Sequence, residues 1–398
     1  MKIGKEVAGL IKTNIRDYMM YIALVIIMVF FSVKTGGNFV KANNIASLIN
    51  QAGYVAVLAI GMTLILILRH IDLSIGYLAG FSGAVAAILM TQRHLNVWVA
   101  IILVLIMGLL IGLYQGVLVT RLGVPAFVTT LAGMFIFRGL LSMSLQKTGA
   151  IIIPDEKFKA LSSSFIPDFV QHAAGTDTTH ILTLLLGVAA VALLIWSKIR
   201  ERVNRLKYNF EVVSMPVFIF TLVFMSAIIM VIIRTLAFSK GSRGLPWTAV
   251  IVGVVLFAYN YMLNKTRLGR YIYGIGGNDQ AAELSGVDVK KVTLFAFCSM
   301  SVLAALGGIL YTSRIGSATP TAGLGFEMDA IASAYIGGTA VSGGIGKVTN
   351  TIIGVLIIMS LTNGMGLMGV DISVQYLVKG IIFIIAVAFD VRTRGKGR

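Results

Sequence analysis

Few places in this sequence concentrate chemistry. Gly343-Gly-Ile-Gly-Lys347 has part of a phosphate-binding loop, but Val341 stands at the required first glycine and Val348 where Ser or Thr must follow the lysine. It lies between two apolar runs and reads as a tight glycine turn. Gly274-Ile-Gly-Gly277 misses a dinucleotide fingerprint, because Asp279 replaces the last glycine and no strand precedes it. Hydrolysis of ATP by this chain has no evident means. His70, His94, His172 and His180 are scattered without ligand spacing, and Cys298 is the single cysteine. Neither a metal site, a disulfide nor a cofactor follows from them.

Ionisable groups inside apolar runs are the next place to look, since each costs roughly 3 kcal/mol at a helix centre on insertion scales. Arg138 lies well inside such a run, while Lys379 sits near the start of the last one and can snorkel. The acids Asp72, Glu327, Asp329 and Asp371 fall at run ends. A proton- or sodium-coupled carrier is expected to hold a carboxylate at the midplane, so this pattern counts against that class. With Asp72 and Arg138, the polar residues Ser74, Ser82, Thr129, Thr130, Asn363 and Gln375 are candidates to line a sugar-sized path. Helix packing is the commoner use of any one of them.

One loop stands apart. Residues 265–291 are polar, basic and glycine-punctuated, and they contain a short helix signal from Asn278 to Ser285. Asn278 or Asp279 can cap its first turn, and Gly286 can take the left-handed position past its end. Two turns are too few to be stable alone, because isolated helices need roughly 12–15 residues. Ala281 and Ala282 form a small-residue face that lets another protein approach. The loop reads as a docking element for a soluble partner.

The elements that must hold these residues are membrane helices. Of 398 residues 57% are hydrophobic and only 12% charged, with a mean hydropathy of +0.91. The expectation is an all-α polytopic membrane protein, a single transmembrane domain over 1–398. Runs near 18–33, 51–68, 74–90, 96–118, 126–145, 180–197, 212–233, 246–264, 292–312, 327–345, 350–368 and 374–390 are long enough to cross about 30 Å of hydrocarbon. Those at 74–90 and 327–345 are rich in Gly, Ala and Ser, so the count of about 12 falls to 10 or 11 if they enter only partway. No signal peptide is evident: the first 17 residues are basic, and no cleavage site follows.

Net charge is +17, which in this composition sets topology and contacts anionic lipid rather than nucleic acid. With both termini cytoplasmic, the inside loops carry about twice as many Lys and Arg as the outside ones, and loop 265–291 is inside. Arg234 to Arg243 then falls on the outside, against the rule. The longest outside segment, 146–179, mixes acids with Lys157 and Lys159 and reads as a solvated cap or a landing surface. A weak internal two-fold repeat aligns Ile71–Gly80 with Met328–Gly337, each an acid followed eight residues later by glycine.

Tyr273-Gly-Ile-Gly-Gly-Asn-Asp-Gln-Ala-Ala-Glu-Leu-Ser-Gly-Val-Asp-Val289 resembles the cytoplasmic coupling loop of bacterial ABC-importer permeases of the ribose/xylose/galactose type. His70-Ile-Asp-Leu-Ser-Ile-Gly76 is similar to another family motif, with His70 where glycine is usual. Met328-Asp-Ala-Ile-Ala332, Ile336-Gly-Gly-Thr339, Ser342-Gly-Gly344, the run Gly123–Leu131 and Arg138-Gly139 fit as well. The length of 150–260 looks like the xylose or multiple-monosaccharide branch. The resemblance implies a non-catalytic permease in the bacterial inner membrane, paired with a second permease copy. It implies a cytoplasmic ABC ATPase docked on Gly277, Asn278, Asp279, Ala281, Ala282, Glu283, Ser285 and Gly286, and an extracellular or periplasmic sugar-binding protein. The alternative is a stand-alone secondary sugar transporter.

Overall fold

The computed structural model describes residues 15–168, 179–209, 212, 214–238 and 244–395. The basic N-terminus, part of the 146–179 segment, and Lys240 and Arg243 lie outside the described residues. Among the described residues, eight helices are long and apolar enough to cross a membrane. They are α2 (Ala42–Ile67), α4 (Val97–Thr120), α5 (Ala126–Leu145), α7 (Ile181–Lys207), α8 (Met215–Phe238), α9 (Trp247–Lys265), α12 (Val289–Ile315) and α14 (Val348–Leu367). The remaining apolar helices are α1 (Ile15–Lys34), α3 (Ile75–Thr91), α13 (Phe326–Ile336) and α15 (Ile372–Gly395).

Helices α2 and α12 form the centre, with α3, α13 and α14 around them. These helices approach closely because small residues sit at the crossings. Gly308 of α12 lies against the Ala79 carbonyl of α3, and Gly354 of α14 against the Ser333 carbonyl of α13. A methyl group at either glycine would collide with backbone. By contrast α7 and α9 leave most of their apolar surface uncovered, as helices facing lipid or another subunit do.

Two spans are broken. Helix α13 has 11 residues, about 16 Å at 1.5 Å per residue, and is too short to cross. The expected span 327–345 therefore stops at Ile336, where Gly338, Gly343 and Gly344 take left-handed backbone conformations. Next to this turn, residues 68–74 are non-helical between α2 and α3. The starts of α3 and α13 meet: Gly76 and Gly323 are packed backbone to backbone, with the Glu327 carboxylate against Gly76. In the sequence echo, Ile75 aligns with Ala332, so its register does not superimpose these two helix starts.

The 146–179 segment is more than a solvated cap where it is described. Ile151 and Ile152 pair antiparallel with Ala318 and Ser317, forming strands β1 (Ile151–Ile152) and β2 (Ser317–Ala318). Helix α6 (Glu156–Ser163) follows, with Asp155 accepting from the Lys157 and Phe158 amides. Phe158 is wholly buried, and the Ser313 hydroxyl donates to its carbonyl at 2.7 Å. Arg234 lies within α8 rather than in a loop, because that helix runs on to Phe238.

Candidate functional site: the 265–291 loop and the broken helices

The loop folds as the capping signals foretell. Thr266 accepts from the Gly269 amide at 3.2 Å and starts α10 (Arg267–Gly277). Asn278 accepts from the Ala281 amide at 2.9 Å and starts α11 (Asp279–Leu284). Gly286, at φ 83°, ends it, with the Val287 amide donating to the Ala282 carbonyl at 3.1 Å. Asp288 accepts from the Lys291 amide at 3.0 Å and opens α12. That bond and the Lys291 ammonium hold the Asp288 carboxyl below its ordinary value.

Most of the expected docking residues lie on the exposed surface of α11, but Ala282 is 8% exposed and packs into this chain's own core. Helix periodicity turns it inward while Asp279, Ala281, Glu283 and Ser285 stay exposed. The Ser285 hydroxyl donates to the Ala281 carbonyl at 2.8 Å and serves the helix itself. Leu284, which the sequence reading passed over, is 91% exposed and is the apolar tip of the face.

The loop is tied to the broken helices by contacts that no local motif announces. Arg69, just past α2, donates to the Gly277 carbonyl at 2.5 Å and to the Ser342 carbonyl at 2.9 Å. The Gly344 amide donates to the Ile67 carbonyl at 2.8 Å, and the Tyr273 hydroxyl to the Gly346 carbonyl at 2.7 Å. Gly276 sits so close to the Ile67 carbonyl that no side chain fits. The turn after α13, the end of α2 and the loop thus form one joint. The Gly344 amide is used within it, in keeping with a glycine turn rather than a phosphate cradle.

Four of the polar candidates converge beside the start of α3. Asp72 is fully buried and accepts from the Ser74 amide at 2.9 Å and the Ser74 hydroxyl at 2.7 Å. Gln115 of α4 donates to the Ser74 hydroxyl at 2.9 Å. Thr130 donates to the Ile71 carbonyl at 3.2 Å, and Thr129 is buried on the same helix. These bonds satisfy non-helical backbone that lies inside the protein. Gln115 was missed because nothing in its own helix marks it.

The remaining candidates lie elsewhere. Asn363 accepts from Asn44 at 2.9 Å and ties α14 to α2, and Gln375 donates to the Val370 carbonyl at 3.0 Å at the start of its own helix. Arg138 is exposed on α5, its guanidinium 5.6 Å from the centre of the Tyr77 ring. One expectation about charge is corrected: Lys379 does not merely snorkel but donates to both Asp329 oxygens, at 2.9 and 3.0 Å. The acids do lie at helix ends, where Asp72 and Glu327 are buried and Asp371 is exposed. Among the described residues no group of three His, Cys, Asp or Glu could hold a metal ion.

Comparison with known proteins gives a family model described as branched-chain amino acid transport system / permease component, matching residues 44–387. The xylose transport system permease protein of Haemophilus influenzae is 35% identical over 383 residues, 96% of this chain and 98% of the relative. The protein of the same description from Escherichia coli K12 is 33% identical, covering 97% and 94%. The ribose import permease protein of Escherichia coli K12 is 32% identical, covering 93% and 92%. No solved structure matches.

Proposed function

This chain belongs to the branched-chain amino acid transport system / permease component family, and from that premise we propose that it is the transmembrane permease subunit of an ATP-driven monosaccharide importer, for xylose or for several sugars. It is a multi-pass protein of the bacterial inner membrane and hydrolyses nothing itself; the ATPase is a separate chain. An external sugar-binding protein delivers the substrate, and two permease copies enclose the path. Twelve segments cross or enter the bilayer, α3 and the short α13 among them, with a weak two-fold repeat in the sequence at Ile71–Gly80 and Met328–Gly337, and both termini and the 265–291 loop cytoplasmic.

One observation carries the mechanism. The exposed face of α11 ends in an almost fully solvated leucine, and the loop bearing it is bonded through Arg69 to α2 and to the turn after α13. A soluble protein that grips α11 therefore pulls on the broken helices. Asp279, Ala281, Glu283 and Leu284 offer it an anionic and apolar surface, while Gly277, Asn278, Ser285 and Gly286 set the shape of that surface. Nucleotide-driven movement of the ATPase becomes alternating access by rigid shifts of these elements. Asp72, Ser74, Thr129, Thr130, Arg138, Asn363 and Gln375 are the pathway candidates, Asn363 also tying α14 to α2 and Gln375 also bonding the Val370 carbonyl.

The buried Asp72 and Glu327 keep a stand-alone secondary carrier as the second reading. The test is uptake of labelled aldoses into proteoliposomes holding this chain, with and without its ATPase and binding protein. Uptake that needs both partners and ATP supports the importer. Uptake by the chain alone, driven by an ion gradient, overturns it.

A further inference from the structure

Helix α5 has two unlike outer strips. Ile136, Leu140 and Met143 form an exposed apolar strip suited to lipid. Beside it, Phe135, Arg138, Gly139 and Ser142 recur at i, i+3, i+4 and i+7 and are all exposed. Phe135 is 60% exposed. Gly139 has no neighbour within 4 Å of where a Cβ would stand, so the space over it is open. The inner face of the same helix buries Thr129, Thr130, Gly133 and Phe137, with Gly133 against Ser74 and Gln115 of the Asp72–Ser74–Gln115 network. The strip thus stands on the helix that walls the buried polar region.

We propose that Phe135, Arg138, Gly139 and Ser142 form a monosaccharide subsite on the wall of the translocation pathway. This rests on the importer reading and deepens it. Arg138 is the only charged residue of α5, and it stands thirteenth of 20 residues in that helix, where facing hydrocarbon is expensive. Among the described residues no carboxylate pairs with it. The Tyr77 ring holds its guanidinium at 5.6 Å instead, which fixes a planar fork of donors without neutralising it. What covers the strip must therefore accept hydrogen bonds from a cation and lay an apolar face on an aromatic ring. It must also fit over an open glycine and take a bond from a hydroxyl. A neutral polyhydroxylated ring meets all four demands.

The experiment uses the whole importer in proteoliposomes, with Cys298→Ser removing the native thiol. Ser142→Cys is then added and treated with a charged, membrane-impermeant methanethiosulfonate, with and without saturating xylose and the binding protein. The subsite predicts that the Ser142→Cys thiol is modified, that modification stops uptake, and that transported sugar slows the modification several-fold. Met143→Cys, on the lipid strip, stays unmodified. Phe135→Leu is expected to raise KM for xylose about tenfold with kcat little changed, and Phe135→Trp to restore it. If the Cys298→Ser parent transports but the Ser142→Cys thiol is inert, the subsite is refuted and the importer reading stands. A spontaneous disulfide dimer of that variant refutes it equally and gives the strip to a second copy. If the parent carries no aldose with both partners present, the importer reading and the subsite fall together.

Discussion

Arg69 reaches the carbonyl of Gly277 across 208 positions of sequence, donating at 2.5 Å, while its Nε donates to Ser342 at 2.9 Å. One guanidinium thereby joins the end of a membrane helix, the 265–291 loop and the turn after a broken helix. Replacing it tests whether this joint transmits force. Arg69→Met is expected to leave membrane insertion and ATPase binding intact and to cut sugar-stimulated uptake at least tenfold. ATP hydrolysis should persist without transport. Uptake and hydrolysis measured together on one preparation decide this: full coupled uptake in the variant refutes a transmitting role.

Leu284 and Ala282 separate docking from folding. Leu284 is solvated, so Leu284→Glu should leave the thermal midpoint of the isolated permease unchanged and weaken ATPase co-purification about tenfold, the loss of one well-placed apolar contact. Ala282→Trp should act differently, because this alanine is packed inside the chain and a larger side chain overpacks the site, at a cost of about 1–3 kcal/mol. Its midpoint should fall before any partner is added. Equal behaviour of the two variants in the isolated permease would remove the distinction.

How far the sequence foretold this can be seen residue by residue. Asn278, Gly286 and Asp288 act on amides one to three positions away, so their capping was readable from local spacing. The break after Ile336 was half readable, since glycines marked 327–345 as weak but did not say where the helix stops. Pairs that depend on folding were silent. Gln115 meets Ser74 over 41 positions and Lys379 meets Asp329 over 50, and no periodicity announces either. The inward turn of Ala282 was hidden for the same reason: a helix of six residues is too short for its pattern to show which face is covered.

The Lys379–Asp329 pair ties α15 to α13 with both partners largely out of solvent. Removing one partner leaves the other charge buried, whereas removing both does not. Lys379→Met should destabilise the permease by about 3 kcal/mol. The double variant Lys379→Met with Asp329→Asn should recover much of that loss. Unfolding midpoints in one detergent for the two single variants and the double give the coupling. Additive losses would mean the pair is incidental.

Asp288 gives the pH dependence outside the membrane. Its carboxyl is depressed by the Lys291 amide bond and ammonium. A depressed carboxyl contributes stability that is present above its unfolded value and lost as pH falls through its folded value. The start of α12 should therefore stay capped through neutral and mildly acidic pH and loosen only below the ordinary carboxylate range. Hydrogen exchange of the amides in that first turn, followed against pH and compared at matched intrinsic rates, reports it directly. Asp288→Asn keeps an accepting oxygen and should lose the pH dependence while retaining protection, whereas Asp288→Ala should lose protection at every pH. Protection that declines at neutral pH in the native chain, or survives in Asp288→Ala, would show that this cap does not hold the junction between the loop and α12.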